Sequence, residues 1–203
     1  LLAVLVVAQL ARAARQGEGQ RTLLELLREA WLHVALSLLV AFAAFFLTSP
    51  LAALDAWLYR KQIIEQSTMV RGTADWPFTR QYRDTIPYVY HIVQQVRWGL
   101  GWPLGIAAFG GFGWVIVRQF RRPRAKELVL LGWTVPYFAL TGSFMVKFMR
   151  YMLPLLPLFI LMGAAMLRRM WAARERGSRL VRLARQATPL AVAIGAALWA
   201  LAF

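Results

Sequence analysis

Cysteine is absent from this 203-residue chain, which excludes disulfides, thiolate metal sites and a cysteine nucleophile. Histidine is nearly absent. His33 and His91 stand far apart with no ligand spacing around either, so no metal site is expected. Acidic residues are scarce, 9 against 24 lysines and arginines, for a formal net charge of +15. A surplus of that size suits a nucleic-acid partner, but most of these cations cluster between apolar runs, so none is expected. Heptads, internal repeats and a glycine-rich phosphate loop are missing too, and no cofactor is implied.

What is present is apolar. Hydrophobic residues make up 60% of the chain and charged ones 16%. A soluble domain is nearer about 45–50% and 25%. The pattern predicts an all-α polytopic membrane protein, a single transmembrane domain fragment over 1–203, with about six transmembrane helices. The expected spans are 1–11, 30–53, 98–117, 128–144, 151–167 and 188–203. The first and last are shorter than the roughly 17–25 residues a bilayer needs, so they read as truncated. No charged segment precedes Leu1, so a signal peptide does not fit. The expectation is an internal or carboxy-terminal piece of a longer membrane protein.

Cations alternate between the connecting loops. Sixteen lie in 12–29, 118–127 and 168–187, and eight lie in 48–97 and 145–150. Short basic loops face the cytoplasm, which makes 48–97 and 145–150 extracytoplasmic. The segment Arg168 to Arg185 is expected to be one basic helix lying on anionic lipid.

The loop 48–97 is too long to be a plain connector. Pro50 suits a helix start, which predicts a short interfacial helix over 51–66. Trp76-Pro77 and Ile86-Pro87 mark an irregular stretch, and 88–96 is expected to turn helical again. Aromatic residues at this density serve either as an interfacial belt or as a lining for a sugar or isoprenoid. The belt suits Trp57, Trp98 and Trp102; site lining suits Tyr82, Tyr88 and Tyr90, which share the irregular stretch with Arg80 and Arg83. Asp75 and Asp84 each lie close to an arginine, which favours an ionised structural partner over a catalytic acid.

The run Lys147-Phe148-Met149-Arg150-Tyr151-Met152-Leu153-Pro154-Leu155-Leu156-Pro157 places two cations at the mouth of an apolar segment on the cation-poor face. Such cations are solvated, paired or used, because desolvating them is costly. One interpretation is a snorkelling pair that marks the end of a span; the other is a site for a phosphate.

Taken in order, Thr48-Ser49-Pro50, Glu65 with Met69-Val70-Arg71-Gly72, Pro77 to Tyr82, Thr85 to Tyr90, Trp98 to Gly105 and Lys147 to Pro157 form a series. Over roughly residues 30–170 it resembles the later half of bacterial lipid-carrier-dependent glycosyltransferases of the GT-C superfamily, the family 39 or protein O-mannosyltransferase-like type. The resemblance implies sugar transfer from a polyprenyl-phosphate-linked donor to an acceptor at the extracytoplasmic face of the bacterial inner membrane. It implies that Lys147, Arg150 and Tyr151 face the carrier phosphate, with Arg80, Gln81, Tyr82, Arg83, Tyr88 and Tyr90 lining the donor pocket. In that family an acidic residue of the first extracytoplasmic loop acts on the acceptor. That loop has no counterpart here, and no catalytic residue is assigned. Two other classes stay open. A transporter or flippase for a lipid-linked or anionic solute should carry ionisable residues within its spans, which here hold almost none beyond His33. A membrane scaffold should tolerate substitution throughout 48–97.

Overall fold

The structure is a computed structural model that describes residues 23–175 and 177–202. The expected span at 1–11 and the arginines Arg12, Arg15, Arg21 and Arg176 lie outside the described residues. Every regular element described is helical. The chain forms two compact units, Leu1–Arg83 with Ala125–Trp133, and Asp84–Arg124 with Thr134–Phe203.

The first unit carries α1 (Leu23–Thr48), α2 (Leu51–Leu54) and α3 (Ala56–Arg71). Within α1, Trp31–Thr48 is long and apolar enough to cross a bilayer, the one such helix among the described residues. Its large side chains point outward, and Leu47 is 82% exposed. The helix expected over 51–66 is two helices. Asp55 interrupts it at φ −135°, and its carboxylate accepts from Leu58 N at 2.9 Å, capping α3. The chain then runs helical to Arg71, and Gly72 ends it in the left-handed conformation at φ 75°. A 3₁₀ turn follows at Pro77–Tyr82.

The second unit is a helical bundle. It comprises α4 (Val89–Gln94), a π-turn at Gln95–Gly99, α5 (Trp102–Arg121), the later part of α6 (Ala125–Gly142), a 3₁₀ turn at Met149–Met152, α7 (Leu156–Ala172) and α8 (Arg179–Ala202). The expected spans at 98–117 and 151–167 start later than anticipated. Residues 98–99 belong to the π-turn, and Gly101 at φ 76° breaks the chain before Pro103 enters the first turn of α5. The 3₁₀ turn takes up Tyr151, and Pro157 sits in the first turn of α7. The single basic helix expected from Arg168 to Arg185 is divided. α7 ends at Ala172 and α8 begins at Arg179, past Gly177 at φ 101°.

α5 and α7 cross where Gly111 meets Gly163. A Cβ on Gly111 would stand 2.4 Å from both Cα and N of Gly163, so here backbone packs on backbone. Phe159 fills the space beside this contact, with ring centroids 4.8 Å from Phe109, 5.0 Å from Phe112 and 5.9 Å from Phe138. Later along both helices, the guanidinium groups of Arg118 and Arg169 lie 5.0 and 6.0 Å from the Trp114 ring. The two helices are therefore parallel. α8 runs the opposite way: Arg185 donates to the Ala173 carbonyl at 3.0 Å, while Trp199 lies over Gly101. One end of this unit gathers the arginines at the end of α5, the end of α7 and the start of α8. The other end holds 84–101 and 142–152.

Candidate functional site

The arginine-poor end of the second unit is built around a strained turn. Tyr88 has φ 62° and ψ −51°, and Val89 N donates to the Pro87 carbonyl at 2.6 Å. That is a γ-turn of the rare, strained hand. α6 holds it in place. Tyr88 N donates to the Gly142 carbonyl at 3.2 Å, its hydroxyl donates to the Ala139 carbonyl at 3.1 Å, and its ring stands 5.6 Å from Phe138. Gly142 is needed beneath the ring, because a Cβ there would come within 2.2 Å of it. Strain of this kind persists only where surrounding contacts over-determine it, and it concentrates at functional sites.

The strained turn feeds α4, which presents His91 and Gln95 one helical turn apart. Each is 1% exposed. Gln95 Nε2 donates to the Met149 carbonyl at 2.9 Å, which fixes the orientation of the amide and leaves Oε1 buried without a partner. His91 Nε2 is likewise buried without a partner. The π-turn that starts at Gln95 is of a type frequent at functional sites.

Lys147 completes the cluster from the facing segment. It is 3% exposed, and Nζ donates to the Met145 carbonyl at 3.0 Å. No carboxylate among the described residues pairs with it. Burial pushes its pKa below the ordinary lysine value. His91 is also shifted down, first by burial and then by the charge of Lys147, with a hydrogen bond to the Thr141 backbone opposing. An ammonium buried without a counter-ion is costly, which marks Lys147 as a candidate site residue.

Arg150 takes the other direction. It is exposed and lies 4.5 Å from the Phe148 ring centroid and 6.0 Å from that of Tyr151. Tyr151 packs edge-on against Phe144 and Phe148 at 6.0 and 5.6 Å, so two of three clustered rings lie by the guanidinium. Tyr90 is half-buried, with its ring 6.4 Å from that of His91. Lys147, Arg150, Tyr151, Tyr88 and Tyr90 thus belong to one unit.

Arg80, Gln81, Tyr82 and Arg83 belong to the first unit or its last residues. Asp75 holds both arginines. Arg80 donates to it through Nε at 3.0 Å and Nη2 at 2.7 Å, and Arg83 through Nη2 at 2.7 Å. The hydrogen bonds from Arg80 hold the Asp75 carboxyl below its usual range, as for an ionised structural partner. Gln81 donates to the Phe78 carbonyl at 3.0 Å, and Tyr82 is buried. Asp84 is exposed at φ 62°.

His91 and Gln95 were not anticipated as site residues. Their signal was a helical i, i+4 pair of polar residues leading into an apolar run, next to Tyr88 and Tyr90. No protein-family model matches the chain, and no match is found among curated proteins or solved structures.

The downward shift of His91 has a sign that can be tested. Its folded-state pKa lies below the ordinary 6.5, so the unfolded chain takes up the proton first as pH falls. Stability is expected to be full above pH 6.5 and to drop as pH falls through and below that value. Lys147 is the charged group facing the ring, and the Asp75 carboxyl titrates well below this window. Thermal unfolding at pH 7.5 and 5.5 should show the loss, and His91→Phe should shrink it. An equal loss in both proteins would place its origin elsewhere.

Proposed function

We propose that this chain is a membrane part of a lipid-carrier-dependent glycosyltransferase of the GT-C type, acting on a polyprenyl-phosphate-linked sugar at the extracytoplasmic face of the bacterial inner membrane. In this proposal the protein is multi-pass. By length alone, the 20, 18, 17 and 24 residues of α5, α6, α7 and α8 fall near the roughly 17–25 that a hydrocarbon core takes. Exposed Ile106, Leu140, Leu161 and Leu198 give these helices the outward apolar surface that lipid requires. The gathering of arginines at one end of the second unit favours a cytoplasmic position for that end.

Arg150 is the observation that carries the proposal. Its charge is exposed at the opposite end, is paired with no carboxylate among the described residues, and is oriented by aromatic rings. A guanidinium so placed fits a phosphate with an apolar chain beside it. In the transfer step an acceptor hydroxyl would attack the anomeric carbon. The bond from that carbon to the phosphate oxygen breaks, and the carrier phosphate leaves with the electron pair. Arg150 would neutralise the charge growing on that phosphate. The acceptor's proton passes to a base that the described residues do not identify.

Binding of a sugar-free polyprenyl phosphate to the purified protein in nanodiscs tests this directly. Arg150→Ala should weaken it by about 1.5–3 kcal/mol, the cost of losing a hydrogen bond to a charged group. Arg122→Ala, at the other end, should leave it unchanged. Equal losses from the two would reduce Arg150 to a membrane anchor.

A further inference from the structure

We infer that His91, Gln95 and Lys147 form a subsite for the hydroxyl groups of a sugar ring, separate from the phosphate contact at Arg150. The inference rests on the glycosyltransferase proposal for its context and on the chemistry of three buried side chains for its content.

Gln95 decides the sign of the site. Its amide nitrogen is committed to the Met149 carbonyl, so the unpartnered atom is an acceptor. The Thr141 backbone takes a ring N–H from His91, and burial beside Lys147 disfavours a second proton. The neutral ring therefore turns a bare Nε2 inward, a second acceptor without a donor. Lys147 supplies the opposite function. Only one of its three N–H groups is used, on the Met145 carbonyl.

Two spare acceptors and a spare cationic donor do not suit an anion. Unprotonated phosphate oxygens would face the Gln95 oxygen and the His91 lone pair, acceptor against acceptor. A hydroxyl both donates and accepts, and two neighbouring hydroxyls on a pyranose would satisfy both acceptors while receiving from Lys147. A site built to hydrogen-bond hydroxyl groups also rejects ligands that lack them, because its own polar groups would stay unpaired. In the inferred site a glycoside enters by a shift of α4. The six residues of α4 lie between the γ-turn at Tyr88 and the π-turn at Gln95–Gly99, two irregular joints on which a short helix can shift.

The chain contains two histidines, so an ¹⁵N-histidine spectrum of the purified protein in nanodiscs has only His33 and His91 to separate. The probes are methyl glucoside, methyl galactoside, methyl mannoside, methyl N-acetylglucosaminide and inorganic phosphate. At least one glycoside is expected to move the His91 Nε2 resonance while phosphate does not. Gln95→Leu should weaken that glycoside by about ten-fold, as loss of one hydrogen bond implies. No response to any glycoside, an equal response to phosphate, or unchanged affinity in Gln95→Leu would each overturn the subsite. If Gln95→Leu does not fold, the comparison of glycoside with phosphate on the unaltered chain decides. Sugar-free polyprenyl phosphate on Arg150→Ala tests the carrier proposal on its own, so either result can fail while the other stands.

Discussion

Gly163→Val is expected to unfold the second unit or to destabilise it by more than about 3 kcal/mol, the upper range for overpacking. A Cβ on Gly163 would stand 2.7 Å from the Ala107 carbonyl oxygen, 2.9 Å from its carbon and 3.0 Å from Ala108 Cα. All of these are backbone atoms on α5, so no rotamer change relieves the clash. The helices must part, and the packing of Phe159 against Phe109 and Phe112 is lost with the contact. Gly113→Val is the control, because nothing lies within 4 Å of a Cβ at that position. Helix propensity favours valine over glycine there by less than about 1 kcal/mol, so its stability should be unchanged or slightly raised. Thermal unfolding followed by tryptophan fluorescence separates the two. Melting temperatures within a degree or two of each other would show that the glycine crossing is not what holds α5 to α7.

Substitutions at Tyr88 are expected to rank in an unusual order of stability: tyrosine, then phenylalanine, then glycine, then alanine. Tyr88→Phe loses only the hydroxyl bond to the Ala139 carbonyl, about 1 kcal/mol. Tyr88→Ala loses the ring as well and keeps the disfavoured φ of 62°, for a total on the order of 2–4 kcal/mol. Tyr88→Gly loses the same contacts but adopts that φ without strain. Glycine should therefore be more stable than alanine, the reverse of what a helix or strand would give. Unfolding of the four proteins under one set of conditions tests the order. If alanine proves more stable than glycine, the γ-turn carries no strain worth relieving.

The sequence made the helices legible wherever an apolar run met a cation, because burial and charge placement are written residue by residue. Trp31–Thr48 is such a run, and so is the apolar body of α5. Their ends were less legible, since short-range backbone geometry sets them. Asp55 turning its carboxylate onto Leu58 N, and Gly101 at positive φ, each depend on one dihedral that hydropathy does not record. In the candidate site, Arg150 and Tyr151 were conspicuous because a charge and a ring at the mouth of an apolar run stand out from their neighbours. His91 and Gln95 did not stand out. Their interest comes from being buried without partners, and burial in this unit is decided by segments more than fifty residues away in the chain, such as Met149 across from Gln95 at a sequence separation of 54. Asp75 was readable as an ion-pair partner from the arginines near it, and it holds both Arg80 and Arg83.

The glycine crossing has a mechanical consequence. Gly163 packs on the backbone of Ala107, Ala108 and Gly111, and α7 extends from it by nearly equal arms. Arg169 lies about 9 Å along the axis one way, and Leu156 about 10 Å the other, at 1.5 Å per residue. A rigid tilt of α7 about that contact would carry Arg169 and Leu156 in opposite senses. The Met149–Met152 turn carries the Met149 carbonyl to which Gln95 is tied. A load on the arginine-rich end that tilted α7 as a rigid rod would therefore move Leu156, and the segment that leads back to Met149, the other way.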